Sequence, residues 1–99
     1  MKTIAEGTTL TIKEIKEVTS RNAGELDERI AGQTTSKIQT IDIDLSDATF
    51  LDNIGLSTLV KVHNQATREN RRVRLINPAA NVLDILEFTE LDHTFEMVF

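Results

Sequence analysis

Short segments in which apolar and polar residues alternate are interleaved with longer segments in which apolar residues recur every three or four positions. The clearest alternating segment covers residues 38–45, and residues 72–75 and 95–99 are shorter candidates. Alternation with a period of two predicts β-strands. In residues 38–45 one face carries the polar residues Thr40, Asp42 and Asp44, so we expect that face to be open to solvent near Asp42.

Three segments have the 3.6-residue period of amphipathic helices. The first follows Asn22, which with Glu25 resembles an N-capping pair. The second begins at Asp52, whose carboxylate can accept from free backbone amides. The third is predicted to be capped by Asn77, with Pro78 as its first residue. The apolar faces of the three helices are expected to be Ala23, Leu26, Ile30 and Ala31; Leu56, Leu59, Val60, His63 and Ala66; and Val82, Leu83, Ile85, Leu86 and Phe88.

The start of the chain is less regular, and residues 8–12 and 15–18 predict two strands or one bent strand pair. Alternating strands and helices favour right-handed crossovers. The predicted fold class is therefore α/β, a mainly parallel open β-sheet with interspersed helices and an edge strand or hairpin at the N-terminus. If the central strands are neighbours, Asp42 or Asp44 faces an arginine of residues 72–75.

The composition narrows the functional classes. The 99 residues suffice for a single domain, residues 1–99, with one modest core. A net charge of −5 disfavours a nucleic-acid partner, and the lack of cysteine excludes disulfides and thiolate catalysis. We expect a cytoplasmic protein without membrane insertion, because residues 1–7 lack an apolar signal core and no apolar run reaches the roughly 20 residues needed to span a bilayer.

The second helix carries two unusual residues at its start. Ile54 lies opposite the core stripe in an otherwise polar set, either as an anchor for a partner surface or tucked under a neighbouring loop. Gly55 costs a helix about 1 kcal/mol relative to alanine. It therefore indicates a close backbone approach, either to the adjacent strand or to a partner.

Residues 41–46, Ile-Asp-Ile-Asp-Leu-Ser, and residues 50–56, Phe-Leu-Asp-Asn-Ile-Gly-Leu, carry a family resemblance. With the length and layout of the chain, they resemble the hallmark of STAS domains (sulphate transporter and anti-sigma-factor antagonist), in which a strand ending Asp-Leu-Ser precedes Asp-Ser-Ser-Gly-Leu at a helix start. The resemblance implies a regulator in a partner-switching system that binds an anti-sigma factor or related serine kinase. It also implies a PP2C-type phosphatase as a second partner. The partner-binding residues so implied are Thr49, Asp52, Asn53, Ile54, Gly55, Ser57, Thr58 and Lys61.

The chain departs from this family at the position that matters most for regulation. In bacterial members the second serine of the motif is phosphorylated, but Ile54 stands there and Asn53 replaces the first serine. Neither side chain can accept phosphate. Ser57, one turn further on, is the nearest candidate for phosphorylation, although the simpler interpretation is an ordinary solvated serine.

Two other functions remain open at this stage. Similar domains occur as accessory subunits of membrane transport complexes, and some relatives bind nucleotides or other small ligands, for which the arginines of residues 68–74 are candidates. An enzyme is not predicted. We expect no cofactor and no metal, because His63 and His93 lack a second histidine at ligand spacing. Asp42, Asp44, Asp47 and Asp52 are expected to be solvated or capping acids.

Overall fold

A computed structural model describes all 99 residues of the chain. It begins with a hairpin of two antiparallel strands, β1 (Lys2–Glu6) and β2 (Thr9–Lys13). Gly7 and Thr8 form the turn, and the φ of 58° at Gly7 is typical of the glycine-first two-residue turns that match strand twist. The N-terminal hairpin is thus confirmed, but its first strand precedes the predicted position, and residues 15–18 form a loop.

Three helices and three further strands follow in alternation. The sheet order is β1-β2-β3-β4-β5, with every pair parallel except the β1–β2 hairpin. The predicted mainly parallel open sheet with a hairpin on its edge is therefore confirmed. The elements are α1 (Ala23–Gln33), β3 (Thr40–Asp44), α2 (Asn53–Arg68), β4 (Arg72–Ile76), α3 (Ala80–Phe88) and β5 (Glu96–Val98).

All three helices cover the same face of the sheet. Each crossover moves one strand in the same direction, and right-handed crossovers of that kind place their helices on one side. Burial agrees, because buried side chains from every helix and from one face of the strands form a single core cluster. The strand residues in that core are Leu10, Ile12, Ile41, Ile43, Val73 and Leu75.

The opposite face of the sheet carries no helix, yet Asp42 on that face is only 8% exposed. The guanidinium of Arg74, its register partner in β4, donates from Nε and Nη2 to both carboxylate oxygens at 2.7 Å. The expected pair between a β3 aspartate and a β4 arginine is confirmed. The face of β3 that was expected to be open to solvent carries no helix, but Asp42 itself is not open to solvent, because the bidentate arginine covers it.

The helix starts agree only in part with the prediction. The helix α1 does begin after Asn22, but the Asn22 side chain does not cap it, since Oδ1 accepts from the Thr19 N–H at 2.9 Å. The helix α3 begins at Ala80, two residues later than predicted. Asn77 has a left-handed φ of 50° and donates its N–H to Val98 of β5 at 2.6 Å, so that residue turns the chain instead of capping the helix.

The apolar faces of the helices differ somewhat from those predicted. In α2, Leu59 and Ala66 are buried as predicted. Leu56, Val60 and His63 are only half-buried and lie at the margin of the buried face. In α3, Phe88 is 90% exposed because the helix ends there, beyond the reach of the core. Ala31 of α1 is also exposed. The buried residues of α2 are Gly55, Leu59, Val62 and Ala66.

Candidate functional site

The predicted site residues meet where β2 and β3 end and α2 begins. Two loops, residues 14–22 and 45–52, lie side by side there and are joined by backbone hydrogen bonds. The N–H of Val18 donates to Phe50 O at 2.9 Å, and the N–H of Asp52 donates to Val18 O at 3.2 Å. More than thirty residues separate these partners along the chain, so local sequence pattern does not predict the contact.

Asp52 connects both loops to the helix. Its Oδ1 accepts from the N–H of Gly55 at 2.8 Å, which is the predicted N-cap, and its Oδ2 accepts from the N–H of Ser20 at 3.0 Å. These two backbone bonds, the one from Gly55 first, lower the pKa of Asp52 below its ordinary value. The charged carboxylate therefore fixes the first turn of α2 against the preceding loop.

The lowered pKa of Asp52 predicts a dependence of stability on pH. Because the folded state holds this carboxylate ionised, its stabilising contribution is fully present above the unfolded-state pKa, about 3.9, and is lost as the pH falls through the lower folded-state pKa. Urea unfolding should show Asp52→Asn less stable than the wild type at pH 7, with the difference closing toward pH 2. Asp47→Asn, at an exposed residue with no hydrogen-bond partner in the chain, is the control and should follow the wild type throughout.

Gly55 lies beneath the surface, not on it. A Cβ atom built at Gly55 would be 1.8 Å from the backbone oxygen of Val18 and 2.4 Å from its carbonyl carbon. The close approach indicated by the glycine is therefore internal, against the loop that precedes α1. Among the residues predicted to bind a partner, Gly55 is buried and holds the others in place.

Two large apolar side chains close to Asp52 along the chain are exposed on the surface. Ile54 and Phe50 are each 54% exposed, so Ile54 does not tuck under a loop. Phe50 was missed by the sequence reasoning, although an aromatic residue just before the buried Leu51 and the helix cap is a usable signal. Together these residues form an apolar exposed pair at the start of α2.

Polar side chains surround the apolar pair. Asn53, Ser57 and Lys61 are exposed on α2, whereas Thr58 is half-buried and donates its hydroxyl to Ile54 O at 3.0 Å. The Ser57 hydroxyl has no hydrogen-bond partner in the chain. Lys61 pairs with Asp27 of α1 at 2.9 Å. The predicted residues other than Gly55 therefore lie on or at the margin of one surface.

Three further residues lie beside the start of α2: Thr49, which was predicted, and Ser20 and Asn81, which were not. The exposed Thr49 donates its N–H to Lys16 O at 3.0 Å, and its own carbonyl accepts from the Asn81 side chain of α3 at 3.1 Å. Ser20 is exposed beside Asp52. Neither Ser20 nor Asn81 belongs to the family motif, and only the tertiary structure brings them to this surface.

Several of the other candidate groups have structural partners elsewhere in the chain. Asp44 accepts from both the N–H and the hydroxyl of Ser46, at 2.9 and 2.7 Å. Of the four arginines, Arg71 donates to the carbonyl of Ile38 at 2.7 Å and Arg72 pairs with Glu96. No group of three or more His, Asp or Glu side chains is placed to hold a metal ion. None of the three helices is long and apolar enough to cross a membrane.

The fold places the chain in a class of small α/β domains that have every helix on one face of a mixed sheet, and in this chain the partly apolar start of α2 is exposed at one end. The STAS domain family model matches residues 2–99, and the chain belongs to that family. No curated protein sequence matches it.

Solved structures show the same fold at low sequence identity. A putative anti-sigma factor antagonist from Thermotoga maritima, TM1081, is 18% identical with a TM-score of 0.89, and the match covers 99% of this chain and 85% of that chain. The unphosphorylated anti-sigma factor antagonist SpoIIAA is 16% identical with a TM-score of 0.81, covering 99% of this chain and 87% of that one. Identities this low establish the shared fold and nothing more specific.

Proposed function

We propose that this chain is a non-enzymatic regulatory module that binds an anti-sigma factor or a related serine kinase in the cytoplasm, as an antagonist in a partner-switching system. Membership of the STAS family and the fold shared with two anti-sigma factor antagonists support a regulatory role. The observation that carries the proposal is the exposed apolar pair, Phe50 and Ile54, at the start of α2.

The docking surface consists of this pair and the polar residues around it. Apolar anchors ringed by polar groups are typical of interface cores, where a few side chains supply most of the binding free energy. The start of α2 needs little ordering on binding, because Asp52 and Gly55 already hold it against the neighbouring loop. The docking surface comprises Thr49, Phe50, Asp52, Asn53, Ile54, Ser57, Thr58 and Lys61.

The proposed module is not switched at the usual position. Asn53 and Ile54 have no hydroxyl, so the first turn of α2 cannot gain the phosphate charge that would repel or reorganise a partner there. Ser57 is the remaining hydroxyl that is exposed on α2 within the docking surface. If the chain is regulated by a kinase and a PP2C-type phosphatase, Ser57 is where we expect the phosphate.

Replacing Ile54 by aspartate tests the docking surface. The change replaces one of the two apolar anchors by a charge. Loss of a central anchor typically costs about 2 kcal/mol or more of binding free energy, which raises Kd about thirtyfold. The partner is first captured from native lysate with the tagged wild-type chain and identified by mass spectrometry. Its affinity for purified Ile54→Asp is then measured by calorimetry. The matched control is Asn64→Asp, an exposed position on the same helix about 15 Å away.

The outcomes separate the functional classes. Capture of an anti-sigma kinase, with binding weakened by Ile54→Asp and kept by Asn64→Asp, supports the proposal, and the same spectra report whether Ser57 is phosphorylated. A transport ATPase as the partner would replace the proposal with the accessory-subunit function. Unchanged affinity of a folded Ile54→Asp variant would exclude this docking surface. A nucleotide that raises the melting temperature would favour the ligand-sensing function instead.

A further inference from the structure

The sheet ends on one side in β1, whose outer edge pairs with no other strand. Its five residues read Lys-Thr-Ile-Ala-Glu, and their register with β2 is continuous. Exposed edges of this kind can pair with another chain, and proteins commonly block them with a proline, a bulge or charged side chains. The strand β1 has no proline and no bulge, and its two charges, of opposite sign, stand at opposite ends, where they can attract a partner strand of complementary charge.

The hairpin geometry determines which backbone groups point outward. The two-residue turn is closed by Glu6 and its partner in β2, and such a closing pair is hydrogen-bonded. Hydrogen-bonded and non-hydrogen-bonded positions alternate along an antiparallel pair, so Lys2 and Ile4 also bond to β2. The N–H and C=O groups of Thr3 and Ala5 therefore point to the free edge.

These outward groups suit a second copy of the same strand. In an antiparallel pair with its two-fold axis at Ile4, Thr3 bonds with the partner's Ala5, and Ala5 bonds with the partner's Thr3. The same register places Lys2 opposite the partner's Glu6 and Ile4 opposite the partner's Ile4. A shift by two residues, the smallest that keeps outward groups paired, destroys both ion pairs.

We propose that two copies of this chain associate through antiparallel pairing of their β1 strands, forming one continuous sheet with all helices on the same face. The charges favour this occupant, because neither Lys2 nor Glu6 has an ion-pair partner within its own chain. Lys2 moreover lies opposite Lys13 of β2, a like-charge pair that the partner's Glu6 relieves. The edge is also preorganised, since Arg29 of α1 donates to the Thr3 hydroxyl at 3.1 Å.

Two charge reversals test the association by sedimentation equilibrium. The wild type should show a concentration-dependent monomer–dimer equilibrium. Each variant replaces both ion pairs between the two β1 strands by like-charge pairs, two acidic pairs for Lys2→Glu and two basic pairs for Glu6→Lys. Each should therefore raise the dimer dissociation constant about tenfold or more. An equimolar mixture of the two variants restores both ion pairs and should dimerise again. In the wild type, hydrogen exchange at the Thr3 and Ala5 amides should slow as the concentration rises.

Loss of folding cannot mimic these results. Lys2→Glu replaces a like-charge pair with Lys13 by an attractive one, so its monomer should melt no lower than the wild type. The proposal is overturned if the wild type stays monomeric at millimolar concentration. It is equally overturned if both folded variants dimerise as the wild type does, or if mixing them restores nothing.

Discussion

Gly55→Ala is expected to destabilise the domain by about 3 kcal/mol or more, because the added Cβ would lie 1.8 Å from the backbone oxygen of Val18. The obstacle is backbone, so no change of side-chain rotamer relieves it. Either α2 or the loop must move, which breaks the bonds from Ser20 to Asp52 and from Asp52 to Val18. For a domain with a total stability of about 5–15 kcal/mol, this loss is severe.

Urea unfolding followed by circular dichroism measures the effect, and α1 supplies matched controls. Alanine at Gly24 or Gly32 would place its Cβ in open space, with no heavy atom within 4 Å. Each of these substitutions should stabilise the protein by about 0.5–1 kcal/mol through helix propensity alone. A Gly55→Ala variant as stable as the wild type would contradict the packing described for the start of α2.

Arg74→Met is expected to cost about 2 kcal/mol, the second largest effect on stability, because it leaves the nearly buried carboxylate of Asp42 without its bidentate partner. Arg72→Met is the matched control. It lies on the same strand and the same face, but its ion pair with Glu96 is solvent-exposed, so little stability should be lost.

A double variant distinguishes an unpaired carboxylate from lost packing. Replacing both partners, as in Arg74→Met with Asp42→Val, removes the charge together with its partner and should recover most of the stability lost by Arg74→Met alone. Urea titration of the wild type, Arg74→Met, Arg72→Met and the double variant gives the four unfolding free energies that are compared. No recovery in the double variant would indicate that the arginine stem contributes mainly by packing.

The local features of the docking surface could be read from the chain itself. Asp52 caps α2, as the position of the helix start predicts, and rotation about the helix axis placed Ile54 opposite the core stripe. The sequence left open whether Ile54 is exposed or covered by a loop, and the structure shows that it is exposed. Gly55 likewise indicated a close approach before its neighbour was known. Phe50, Ser20 and Asn81 were absent from the prediction. Phe50 and Ser20 lie in loops that have no periodic pattern, and Asn81 reaches this surface only because α3 packs beside the loop that carries Thr49.

By itself the sequence determined the alternation of strands and helices, the mainly parallel sheet and the family resemblance, because periodicity, caps and crossover handedness are local properties. Only the tertiary structure decided the burial of Asp42, the contact of Gly55 with Val18 and the late start of α3. In each case the deciding group is distant along the chain: Arg74 across the sheet, Val18 in another loop, and Val98 at the far end. Such contacts form when the core packs, and side-chain patterns within one segment carry no information about them.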